Sequence, residues 1–133
     1  MSNAQYFHHL YNLLHREKPF YGSGLEESLE RIPEEHLYKP VGHRTIAQLL
    51  EHMLVWRDDL ARRLNGEERQ KIEFNGPLDW PPAADCKRTK AEYVAAFAAI
   101  TTRIKAGIAG FDYAKIDDLL HPDYDYTHVD LLE

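Results

Sequence analysis

Apolar residues recur along the chain at helical spacing, and each run is bounded by residues that start or stop helices. Tyr6, Phe7, Leu10, Leu13 and Leu14 predict a first helix that begins after Ser2 or Asn3 and runs to about Lys18, where Pro19 ends it. Ser23-Gly24-Leu25-Glu26 then reads as a capping box opening a short piece with Leu25, Leu29 and Ile32 on one side before Pro33. That piece either docks onto the other helices or continues the first one after a kink.

The clearest signal follows. Thr45 with Gln48 forms a capping box, Asn65-Gly66 supplies a left-handed stop after Leu64, and Ile46, Leu49, Leu50, Met53, Trp56, Leu60 and Leu64 form one broad stripe between them. Beyond it, NGEERQKIEFNGPLDWPPAADCKR has no helical period, and a connection of that length must cross the bundle or cover one end of it. A third long helix begins at Thr89, whose capping box includes Glu92. Its stripe is Tyr93, Val94, Phe97, Ile100, Ile104 and Ile108, with Gly107 and Gly110 marking its end. Thr127-His128-Val129-Asp130 opens a fourth helix, and since the chain stops at Glu133 that helix reads as truncated. The expected fold class is all-α, with residues 1–133 forming a single domain.

Composition narrows the function. A chain of 133 residues with 44% hydrophobic content can bury one real core. Cys86 is the single cysteine, so neither an internal disulfide nor a cysteine-based zinc site can be built within the chain, which suits a reducing cytoplasm. A net charge of −6, from 22 acidic and 16 basic side chains, offers no face that gathers phosphates, so nucleic acid is not an expected partner. MSNAQYFHHL lacks the build of a signal peptide, and no apolar run reaches the roughly 18 residues of a membrane span. The expected location is therefore cytoplasmic, with no membrane partner.

Candidate chemistry centres on the TIAQLLEHMLVWR stretch. At about 100° per residue, His52 shares an edge of the stripe with Leu49 and Trp56. An imidazole there can bind a metal through one nitrogen while an acceptor holds the other, or it can be a core-edge histidine bonded to a carbonyl or a tyrosine. His8 and His15 share a face but lack the i, i+4 spacing of a chelating pair, while His9, His36, His43 and His121 sit at surfaces or turns and His128 at a helix start. Arg57, near the middle of the stripe, pairs with a buried carboxylate, snorkels, or orients an anionic ligand. Trp80 lids a pocket or plugs the bundle end.

GSGLEESLERI, HRTIAQLLEHMLVWRDDLARRLNGEE and LDWPP together resemble the DinB/YfiT-like superfamily of four-helix-bundle metalloenzymes, in order over nearly the whole chain. The resemblance implies a four-helix bundle of crossover topology. It further implies a site of three histidines binding a divalent ion such as nickel or zinc, one of them at the position of His52 and the others in an HxxxH pair on the last helix. That pair has no counterpart in this sequence, which implies an incomplete metal site in this chain. Members include thiol-dependent S-transferases that use low-molecular-weight thiols. By resemblance, Trp56, Arg57 and Trp80 line the ligand pocket, and no catalytic residue is assigned. The alternative is a metal-free bundle that binds a small molecule or dimerises. A homodimer is expected on either reading, because a stub of a fourth helix leaves the apolar stripes uncovered.

Overall fold

The computed structural model describes residues 24–112 together with Ser2, Gln5, Tyr6 and His9. The remainder of the first-helix stripe, Ser23, the fourth-helix start at Thr127, and His8, His15, His121 and His128 lie outside the described residues. At the N-terminus, the Ser2 N–H donates to Gln5 Oε1 (2.8 Å) and the Gln5 N–H donates to Ser2 Oγ (3.2 Å). This reciprocal cap sits where the sequence places a helix start.

Three helices organise the described chain: α1 (Leu25–Arg31), α2 (Ile46–Leu64) and α3 (Lys90–Gly110). Helix α1 starts after Gly24, while Ser23, on which the expected capping box depends, lies outside the described residues. The helix docks by burying Leu29 among Leu37, Leu50, Leu54, Tyr93 and Phe97. A 3-10 turn (Glu34–Tyr38) and a hairpin absent from the sequence expectations follow, in which β1 (Pro40–Val41) pairs antiparallel with β2 (Arg44–Thr45). Gly42 takes a φ of 68°, as the tight turn of a two-residue hairpin requires. The hairpin delivers Thr45 directly to the start of α2. There Thr45 Oγ1 accepts the Gln48 N–H (3.1 Å) and Gln48 Oε1 accepts the Thr45 N–H (2.9 Å), the predicted box. Gly66, with φ 68°, closes the far end as expected.

Helices α2 and α3 run parallel. Glu51 meets Tyr93 near their starts, Asp58 meets Arg103 in the middle, and Leu64 meets Gly107 near their ends. Parallel neighbours cannot be joined by a tight turn, because the chain must first return along the length of α2, about 28 Å for a helix of this size. Residues 65–89 make that return, touching α2 in reverse order through Arg69 to Asp59, Phe74 to Trp56, Asp79 to His52 and Pro81 to Gln48. The long aperiodic segment therefore lies along one edge of α2.

The parallel pairing also selects which part of each stripe is buried. On α2 the buried arc is Ala47, Leu50, Leu54, Ala61 and Leu64, while Leu49 is 45% exposed; on α3, Val94 is 38% exposed and Thr101 is buried instead. Both exposed residues were expected on the core face. Gly107 is not the end of α3. A Cβ there would lie 2.6 Å from Leu64 Cβ, so this glycine permits close approach of the two helices, and α3 continues to Gly110. The core forms two patches, one around Tyr93 and Phe97 and one of Ala61, Leu64, Ile104 and Ile108. Fully burying each large apolar side chain contributes about 2 kcal/mol.

Candidate functional site

His52 projects from the edge of α2 against the returning loop, with its side chain 27% exposed. The loop is shaped to meet it. Asn75 adopts a left-handed conformation (φ 58°), which asparagine tolerates, and donates its N–H to Asp79 Oδ2 at 2.8 Å. The Trp80 N–H returns to the Gly76 carbonyl at 2.9 Å, closing a turn that aims Asp79 inward, where it is 2% exposed.

Asp79 joins the site together. Its Oδ1 accepts the Trp56 indole N–H at 2.6 Å and stands 2.7 Å from His52 Nδ1, while its own carbonyl oxygen stands 3.0 Å from the same nitrogen. Both groups facing Nδ1 are acceptors, so Nδ1 carries the proton and donates it, and in the neutral ring Nε2 holds the lone pair. The imidazole plane is fixed as well. His52 stacks on Trp80 with ring centroids 3.9 Å apart and planes within 9°. The Arg44 guanidinium lies 3.5 Å from the Trp80 ring centroid, and two groups so near one ring cannot share a face, so Trp80 is held between them. The hairpin supplies Arg44, α2 supplies His52 and Trp56, and the loop supplies Asp79 and Trp80.

Three of the four residues singled out from the sequence thus converge, and one does not. Trp80 stacks on His52. Arg57 lies about 140° around α2 from His52, on the face toward α3, where its guanidinium carbon is 5.2 Å from the Phe97 ring centroid. Asp79 was missed; its only sequence signal is an acid set between Leu78 and Trp80 in the LDWPP motif. Cavities lined by described residues lie elsewhere, among them one of about 270 Å³ between α1 and α3 and one of about 440 Å³ between α2, the loop and α3. His52, Trp56, Arg57 and Trp80 line neither of them.

The donor set accommodates a metal only in part. A histidine with Nδ1 held by a carboxylate is oriented to offer Nε2 to an ion. Among the described residues, however, no three His, Cys, Asp or Glu side chains come together as a metal-binding group. Cys86 is no substitute nucleophile. It is 2% exposed, its S–H points to the Pro82 carbonyl at 3.4 Å, and burial, then Glu51 and Asp85, push the thiol pKa up, so at neutral pH it stays a protonated thiol. Native protein is expected to resist modification by Ellman's reagent on a timescale of minutes, whereas guanidinium-unfolded protein releases one equivalent at once. Rapid stoichiometric labelling of the native chain would contradict this environment. Among the described residues no helix is long and apolar enough to cross a membrane.

A sequence profile of the DinB superfamily matches residues 23–129. No curated protein and no solved structure matches the chain.

Proposed function

The chain belongs to the DinB superfamily, and on that premise we propose that it is a divalent-metal-dependent enzyme of the thiol-dependent S-transferase or hydrolase type, with His52 as a metal ligand through Nε2. The observation that carries this reading is the hold of Asp79 on His52 Nδ1, at 2.7 Å from its carboxylate and 3.0 Å from its carbonyl. A histidine that serves only as packing needs one acceptor for one N–H; here a buried carboxylate and a carbonyl both fix the tautomer that leaves the outer nitrogen as a donor. When bound, nickel or zinc supplies the Lewis acidity that makes a thiol or a water nucleophilic near neutral pH. The chain's own contribution is to fix the ring plane between Trp80 and α2, keep Nδ1 protonated, and exclude water from Asp79. The described residues supply one ligand, so this reading takes the remaining coordination from outside them.

Elemental analysis after nickel or zinc loading tests the proposal, with His52→Ala alongside. One retained ion per chain, lost in the variant while its circular dichroism spectrum shows it still folded, is the expected result. Full occupancy in His52→Ala overturns it. If the parent chain retains no ion, the metal-free alternative, a bundle that binds a small ligand or pairs with a second copy, takes its place.

A further inference from the structure

Beside the His52 face, α2, the loop and α3 enclose a groove of about 440 Å³, within the roughly 300–1,000 Å³ of small-molecule sites. Its floor and walls are apolar, formed by Leu54, Val55, Leu78, Ala96, Ala99 and Ile100. Three charged side chains reach it, and each is already met. Glu51 Oε1 accepts from Arg88 Nε at 3.0 Å and from the buried Tyr93 hydroxyl at 3.2 Å. Asp58 is held by Arg62 (2.7 Å) and Arg103 (2.6 Å); burial alone would raise its pKa, but the two guanidinium groups outweigh burial and keep the carboxyl below its ordinary range. The groove therefore carries no unbalanced charge for an ionic ligand to answer. Arg88 is fastened through Nε alone and is 47% exposed, and its Nη donors bond no acceptor among the described residues.

We propose that this groove binds a small, uncharged, mainly apolar molecule carrying one acceptor oxygen, with the apolar body against Ala96, Ala99 and Ile100 and the oxygen on the Arg88 fork. A charged carboxylate is excluded by Glu51 beside the fork and by the desolvation of its own charge against apolar walls. The site is distinct from the His52 face and does not depend on a metal. The loop is nonetheless common to both, since Pro77, Leu78 and Pro81 line the groove while Asp79 and Trp80 hold His52.

Heptan-2-one and heptanoate serve as probes on the metal-free 133-residue chain, followed by amide and methyl chemical shifts. The expected result is saturable heptan-2-one binding with shifts confined to Ala96, Ala99, Ile100 and their neighbours, and at least tenfold weaker binding of heptanoate. Arg88→Met, which keeps the apolar stem and removes the donors, weakens the ketone by about tenfold, as expected for loss of a hydrogen bond to a charged group. Ala99→Phe, at an exposed position, fills the groove and abolishes binding without lowering the melting temperature. Unsaturable shifts, heptanoate binding as tightly as the ketone, or undiminished binding in Ala99→Phe would each overturn the proposal. Because no metal is present in these measurements, their failure leaves the His52 reading untouched.

Discussion

Asp79→Ala is expected to lower the unfolding free energy by about 3 kcal/mol and to release His52 from its fixed orientation. One carboxylate, 2% exposed, accepts from the Trp56 indole and the Asn75 backbone and holds His52 Nδ1. Hydrogen bonds to a charged acceptor are worth about 1.5–3 kcal/mol each. Water can replace part of that at half-buried His52 and Trp56, which sets the total well below the sum. Asp79→Asn separates charge from shape. Trp56 and His52 share Oδ1 while Asn75 takes Oδ2, so an amide in either orientation sets its NH₂ group against another donor. Asp79→Asn should therefore cost about 1–2 kcal/mol and, on the metal reading, weaken the ion by roughly 10–100-fold. Urea titration gives the stability change, and the Trp56 indole N–H signal, shifted downfield by a carboxylate partner, reports the local one. Stability and indole shift both unchanged in Asp79→Ala would mean that Asp79 does not hold the loop to α2.

The contrast between what the sequence showed and what it hid has physical causes. Caps are local, so the Thr45–Gln48 box and the Gly66 stop could be read from a few adjacent residues and stand where expected. Burial is set by the neighbour. The stripe on α2 spans a wide arc, and only the parallel position of α3 decides that Leu54 goes inside and Leu49 outside. Gly107 looked like a helix stop because glycine is common at helix ends; its role is to leave room for Leu64, a residue more than forty positions away. His52 and Trp56 could be paired from helical spacing, and Trp80 from its motif, but Asp79 could not be linked to them, since an acid in a proline-rich loop has the composition of an ordinary turn. Arg57 was grouped with them because the stripe was centred too far toward their edge of the helix.

The same limit applies to charge pairs and yields the second large effect. Glu27 with Arg31, and Asp59 with Arg63, are both acid and base four residues apart on a helix, indistinguishable as sequence patterns. In the structure the first pair is 40% and 68% exposed, and its removal should be nearly neutral. In the second, both side chains are 4% exposed, Arg63 Nη2 lies 2.6 Å from Asp59 Oδ2, and Arg69 Nε approaches the other oxygen at 3.4 Å. Asp59→Ala removes the carboxylate facing a guanidinium that cannot reach bulk water, and is expected to cost about 3 kcal/mol or more. Replacing both partners by apolar residues of similar volume, Asp59→Leu with Arg63→Met, removes the buried charge along with its counterion and should recover most of that loss. Urea unfolding of Asp59→Ala, and of Asp59→Leu and Arg63→Met singly and together, gives the cost of the lost carboxylate and closes the cycle. A single-variant cost below about 1 kcal/mol would show that the pair is hydrated like an exposed one, whereas a double variant no better than Asp59→Ala would show that Arg63 itself is required for packing at the foot of α2.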